Sequence, residues 1–125
     1  KALALAWSLP IVAVSSLQCL AQTAARVSGA ASVLVARDAR MHEMYVGRYH
    51  LGKNAIMSAE QECLLAPEAL TLMPAGVIAA GDAWQVYEAC LPRLTRSGVY
   101  RAALTDFLLI AEAKWQAGEL CSAET

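Results

Sequence analysis

The chain is poor in aromatic side chains, in charge of either sign and in histidine. Phe, Trp and Tyr make up 6% of its 125 residues, so a core has to be aliphatic, built from Leu, Val, Ala and Met. Charged residues are 17% and the formal net charge is −1, leaving no basic excess to neutralise phosphates. That argues against independent tight binding of nucleic acid. The longest positive cluster, Arg93, Arg96 and Arg101, reads as a solvated loop rather than a binding patch. With 58% hydrophobic residues the chain is too apolar for disorder, and its length fits one domain with one modest core.

The four cysteines (Cys19, Cys63, Cys90 and Cys121) show no Cys-x-x-Cys spacing and are too sparse for a secreted disulfide scaffold. Cys19 and Cys90 lie in apolar helical stretches, where a thiol is expected to pack as a small hydrophobe. Reduced thiols and a cytoplasmic location are the expectation. Lys1 followed by ALALAWSLPIVAV mimics a secretory signal, but Pro10 splits the run and it is too short to span a bilayer. The missing initiator Met suggests that the chain begins within a longer protein.

Hydrophobic periodicity supplies the element order. Ala2–Ser8 reads as a helix tail stopped before Pro10, and Pro10–Val14 as a short buried strand. Ser15 or Ser16 caps a helix whose apolar face is Leu17, Leu20, Ala21, Ala24 and Val27, with Gly29 at its end. Ser32–Ala36 and Glu43–Leu51 are strands, the second with Tyr45 and Tyr49 on one face and Met44, Val46 and Arg48 on the other. Asp38 to Met41 form a tight turn or bulge between them. Gly52, Lys53 and Asn54 turn the chain into a third strand, Ile56–Leu65, giving an antiparallel meander.

Pro67 then opens a short helix, PEALTLM, and Gly76–Ala80 is a buried strand. Asp82 caps a helix running through Trp84, Val86, Tyr87 and Cys90 to Pro92. A last helix carries Leu104, Phe107, Leu108, Ala111 and Trp115 on one stripe. Met41, Met44, Met57, Met73, Trp7, Trp84 and Trp115 are expected to be core fillers. The resulting order, β-β-β-α-β-α-(β)-α after a leading β-α, is that of an α/β domain. It matches one lobe of the actin-like ATPase (ribonuclease H-like) fold, a mixed sheet with helices packed on it.

Catalytic constellations fail on spacing. His42 and His50, in HEMYVGRYH, lack the i, i+4 helical spacing of a zinc-binding HExxH, and strand alternation sends His42 and Glu43 to opposite faces. No metal is expected. Asp38 and Glu43 are near enough to share a cleft, but Asp38 more simply accepts backbone N–H bonds in its own turn, with Arg40 or Glu43 in an ion pair. There is no GxSxG, GxGxxG or Walker loop. Gly81 and Asp82 open a helix after a strand and form a possible anion site, which the Asp82 charge opposes.

Two stretches carry a family resemblance. Residues 2–22, ALALAWSLPIVAVSSLQCLAQ, contain a helix end like "GLALA", then "LP", a short strand and "VSSL". Residues 33–49, VLVARDARMHEMYVGRY, contain an apolar strand, "DAR" with Met, and a strand with "E-x-Y". Together they resemble the TsaB (YeaZ) family, and the likeness runs more weakly through GDAWQVY to about residue 118. The family is an inactive relative of the actin-like ATPase fold, once labelled glycoprotease (M22).

The resemblance implies a non-catalytic scaffold in attaching threonylcarbamoyl to N6 of the adenosine next to the anticodon. The chemistry would belong to a TsaD-type subunit, with a TsaE-type ATPase as a further partner, tRNA contacted only indirectly, no cofactor on this chain and no membrane. On this reading residues 1–125 are one domain, mainly the C-terminal lobe, with 1–14 the end of the preceding lobe. Asp38, Arg40, Glu43 and Tyr45 become motif residues, structural or facing the cleft. Ala2, Leu3 and Leu5 become the tail of a helix that contacts TsaD or a second copy.

The departures are an absent first lobe, an absent "P-x-Y-x-R" after the last helix, His42 where the family usually has Gly, and a region Arg93–Arg101 too short for a full fifth strand. A glycoprotease-like hydrolase and an exported α/β binding domain are the alternatives.

Overall fold

A computed structural model describes residues 10–11, 14–52, 54–70, 76–118 and 121–122. Strand β1 (Pro10–Ile11) is followed by helix α1 (Ser16–Ser28) and strands β2 (Ser32–Arg40), β3 (Glu43–Leu51) and β4 (Met57–Leu65). A 3₁₀ turn (Pro67–Ala69), β5 (Ile78–Ala80), α2 (Ala83–Val86), α3 (Leu104–Gln116) and β6 (Cys121–Ser122) complete the order. The main sheet runs β4-β3-β2-β5, with β5 parallel to β2 and the other pairs antiparallel. The expected meander and the mixed sheet are both present.

Sequence chemistry accounts for α1 closely. Ser15 accepts a hydrogen bond from the Gln18 N–H, and Gly29 closes the helix at φ 76°, its N–H on the Ala25 carbonyl. Leu17, Leu20, Ala21 and Ala24 pack on Val33, Val35, Tyr49 and Met57. Val27, assigned to the same face, is exposed near the C-terminal end of the helix. On the opposite side Leu34, Ala36, Met44 and Val46 meet Val77, Ala83, Trp84 and Leu91. Residues 33–36 are an unbroken apolar run because β2 is covered on both faces.

Two glutamines clamp α1 to the start of β4. Gln22 is 5% exposed; its Oε1 accepts the Met57 N–H at 2.8 Å and its Nε2 donates to the Ala55 carbonyl at 2.9 Å. Gln18 Nε2 donates to the Met57 carbonyl. Gln22→Leu leaves the buried Met57 N–H and the part-buried Ala55 carbonyl without these partners and is expected to destabilise the domain by about 1–3 kcal/mol. Chemical denaturation of the two proteins measures it.

Several expectations are corrected. β2 extends through Arg40 with a bulge between Asp38 and Arg40, so the turn is Met41–His42. The helix expected from Asp82 to Pro92 contains only Ala83–Val86 and then relaxes into turns, and Asp82 makes no side-chain cap bond. Of the PEALTLM helix, Pro67–Ala69 form a single 3₁₀ turn closed at Leu70, and residues 71–73 lie outside the described residues. Met44, Met57 and Trp84 are core fillers, whereas Met41 is 93% and Trp115 55% exposed. Trp7, Met73 and the Ala2–Ser8 tail lie outside the described residues. Cys19 is buried, but Cys90 is exposed on the turn that replaces its expected helix. All three cysteines with described side chains are free thiols.

The last helix is rotated from its expected face. Leu104, Phe107, Leu108 and Trp115 are exposed, while Asp106 and Ile110 are buried. A charged anchor sets that rotation: Asp106 accepts from Thr23 Oγ1 at 2.8 Å and from Arg26 at 3.0–3.3 Å. The polar segment before it runs beside β5, with Ala79 bridged to Arg96 and Gly81 N–H on the Val99 carbonyl. It is a fragment of a fifth strand, as its length suggested.

Candidate functional site

The N-terminus of α1 opens onto a cleft of about 500 Å³ between Ser15, Ser16, Arg37, Asp38, Tyr45 and Glu62. Both signature stretches therefore contribute to one surface: Ser15–Leu17 from the first, and Arg37, Asp38 and Tyr45 from the second. Strand alternation places Tyr45 at the cleft, 53% exposed, and Tyr49 farther along the same face, 1% exposed under α1.

Every carboxylate described in this cleft accepts hydrogen bonds within the fold. Glu62 Oε2 accepts from Ser15 Oγ at 2.6 Å and from the Tyr49 hydroxyl. Burial first, and the Glu62 carboxylate second, push the Tyr49 phenol well above its ordinary range, so it stays a donor. Asp38 Oδ1 accepts from the Arg40 N–H at 2.9 Å and from the Tyr87 hydroxyl at 2.7 Å. Asp38 accepts a backbone N–H as expected, but at the β2 bulge rather than in a turn, and the side-chain partner supplied by the structure is Tyr87. Arg37 Nη1 donates to Ser16 Oγ at 3.2 Å across the helix start.

The two motif turns are joined through Asp82. Its Oδ1 accepts the Asp38 N–H at 2.8 Å, so its carboxylate serves the β2 backbone rather than its own four-residue helix. Gly81 precedes it at φ 100°, and this geometry gives an anion site there no support. Arg40 and Glu43 pair in the β2–β3 register, both exposed. Asp38 lines the cleft and Glu43 points to solvent, so the two do not form a catalytic pair. His42 and His50 also have different partners: His50 Nδ1 meets Ser32 Oγ, while His42 Nε2 contacts Glu68.

Sequence reasoning missed Glu62 and Tyr87. Glu62 carried a weak signal as a carboxylate in a strand that returns beside Tyr49. Tyr87 carried none, because its partner is 49 positions away.

The Arg40 backbone N–H, then Tyr87, hold the Asp38 carboxyl below its usual range. A depressed carboxylate stabilises the fold above the unfolded value of about 3.9, and that contribution disappears as pH falls through the lower folded value. Asp38→Asn is thus expected to be less stable than wild type near neutrality, with the gap narrowing below about pH 4. Denaturation midpoints across pH 2–7 test this, and a gap independent of pH contradicts it.

Comparison with known proteins agrees with the motifs. Residues 1–116 match the family model described as TsaD, tRNA N6-adenosine threonylcarbamoyltransferase. The tRNA threonylcarbamoyladenosine biosynthesis protein TsaB of Escherichia coli (strain K12) is 37% identical over 92 residues, covering 70% of this chain and 40% of that protein. The structure of YeaZ from Pseudomonas aeruginosa superposes with a TM-score of 0.84 at 37% identity, covering 99% of this chain and 60% of that one. A second Pseudomonas aeruginosa crystal structure, of an uncharacterized protein with similarity to peptidase YEAZ, gives 0.88 at 35% identity with the same coverage. The chain thus spans 40–60% of the length of these relatives. The mixed α/β architecture is that of one lobe of the actin-like ATPase fold, and the chain belongs to the TsaB (YeaZ) family.

Proposed function

We propose that this chain is the C-terminal lobe of a non-catalytic scaffold protein in the threonylcarbamoylation of tRNA adenosine, acting with a TsaD-type catalytic subunit in the cytoplasm. One observation carries the non-catalytic part. The cleft carboxylates are already engaged as acceptors, Asp38 by the Arg40 N–H and the Tyr87 hydroxyl, and Glu62 by the Ser15 and Tyr49 hydroxyls. A general acid or base needs a pKa near the working pH, and the donors on Asp38 hold its carboxyl below even its usual range. The similarity to TsaB and the matching family model support both the pathway and the choice of a TsaD-type partner. A TsaE-type ATPase and a second copy are further partners in this reading; tRNA is reached through the catalytic subunit, and the chain itself binds no cofactor for the reaction.

The test uses the full-length parent. It is expected to co-purify with its TsaD-type subunit, and its deletion to abolish the threonylcarbamoyl mark on tRNA. Asp38→Ala and Glu62→Gln are expected to reduce that mark only as far as they reduce folding. A protein that forms no complex under any nucleotide condition contradicts the scaffold role. Loss of modification by a folded Glu62→Gln protein in an intact complex contradicts the non-catalytic part.

A further inference from the structure

The expectation of no metal rested on linear spacing around His42, Glu43 and His50. The fold gives His42 different neighbours. The β2–β3 turn, the 3₁₀ turn after β4 and the turn after α2 bring His42, Glu68 and Cys90 together, one donor atom of each within 4.8 Å of the others. We propose that His42, Glu68 and Cys90 form a surface site for a zinc-class divalent cation.

Imidazole nitrogen, carboxylate oxygen and thiolate sulfur are the donors that suit zinc. On a tetrahedral ion with bonds of about 2.0–2.3 Å, donor atoms sit about 3.3–3.8 Å apart. Reaching that spacing from donor atoms already within 4.8 Å of one another asks for shifts of roughly 1 Å in three exposed side chains, with His42 Nε2 and Glu68 Oε1 parting to admit the ion. Three protein ligands leave the fourth position to water.

The turn itself favours this reading. Arg40, Met41 and His42 lie consecutively at φ 69°, 52° and 58°, a region where glycine is the unstrained choice. The histidine at the last of these positions presents its ring to Glu68, and Tyr87 packs edge-on against that ring with centroids 5.3 Å apart. The Tyr87 hydroxyl is itself anchored on Asp38. Outer-shell packing of this kind fixes a ligand's orientation. None of the cavities that the fold forms around Ser15–Glu62, Glu88–Arg96, Asn54–Ala117 or Val14–Phe107 is lined by any of the three residues, so the cluster suits an ion rather than an organic substrate. The rival is a plain His42–Glu68 ion pair with Cys90 as a bystander.

Cobalt(II) and zinc(II) titrations of the reduced chain distinguish the two. Wild type is expected to bind one Co²⁺ with a thiolate charge-transfer band in the near ultraviolet, lost on adding Zn²⁺, and Zn²⁺ is expected to raise the melting temperature until a chelator is added. Outer-shell partners are worth about 10–100-fold in metal affinity, so removing a direct ligand costs at least about tenfold. Cys90→Ser is expected to abolish the band, and His42→Gln and Glu68→Gln to weaken Zn²⁺ binding by that factor or more. Cys63→Ser, also an exposed thiol, is expected to change nothing. Far-ultraviolet circular dichroism confirms that each variant is folded. Absence of one-to-one binding overturns the site, as does a band that follows Cys63 or survives Cys90→Ser, or a loss below tenfold in any of the three ligand variants.

Discussion

Gly81→Ala is expected to destabilise this domain by about 3 kcal/mol or more, the largest effect among its glycine-to-alanine replacements. A Cβ on Gly81 would stand 2.2 Å from the Ala36 carbonyl oxygen and 2.9 Å from its carbon. Both are backbone atoms of the central strand β2, so no side chain can rotate away. The φ of 100° adds a left-handed penalty of roughly 1–2 kcal/mol for alanine. Relief requires moving β5 or its turn, which would also disturb the Gly81 N–H bond to Val99 and the Asp82 bond to the Asp38 N–H. Gly98→Ala is the matched control: its φ is 77°, but a Cβ there meets nothing within 4 Å. Only the backbone penalty of roughly 1 kcal/mol applies to it. Denaturant midpoints for the two variants should therefore differ severalfold in their displacement from wild type. Equal displacements would mean that β2 and the Gly81 turn do not need their close approach.

The same glycine shows where sequence reading stops. Gly81-Asp82 after a strand was legible as a strand-to-helix turn, and an anion site was the chemical meaning attached to it. Its physical meaning is steric and non-local, since the atom that forbids a side chain belongs to Ala36. Local chemistry was read correctly where both partners sit within a few residues. Ser15 and Gly29 bound α1, Asp38 accepts from Arg40, and alternation separates Tyr45 and Tyr49 from Met44 and Val46. Long-range pairs were invisible: Gln22 with Met57, Glu62 with Ser15, and His42 with Glu68 and Cys90. Periodicity also misled at α3. Leu104, Phe107, Leu108 and Trp115 outweigh one aspartate in any hydrophobic pattern, and a pattern carries no information about Thr23 and Arg26, about 80 positions earlier.

That aspartate supplies the second large effect. Asp106→Ala is expected to cost about 2–3 kcal/mol. Asp106 is 1% exposed, and its carboxylate receives Thr23 Oγ1 and two nitrogens of Arg26. Hydrogen bonds to a charged group are worth about 1.5–3 kcal/mol each, and removing one partner of a fully buried pair costs about 3–5 kcal/mol. The lower figure applies because the Arg26 side chain is 52% exposed and returns to water. Thr23 is the hub of the arrangement, since its hydroxyl also accepts the Ala103 N–H at 3.0 Å just before α3 begins. Thr23→Val keeps the shape and removes both bonds, together with the hydroxyl's alternative acceptor, the Cys19 carbonyl at 3.0 Å, for an expected loss of about 1–3 kcal/mol. Because the two residues share one bond, the double variant should lose less than the sum, by at least about 0.5 kcal/mol. Asp106→Leu separates anchoring from solvation: an apolar side chain of fitting volume often matches a buried ion pair in stability. If Leu restores the stability that Ala removes, the site needs filling rather than charge, and the rotation of α3 then rests on Ile110. If Ala itself lies within about 0.5 kcal/mol of wild type, the anchor contributes nothing, and the exposure of Leu104, Phe107, Leu108 and Trp115 has another cause.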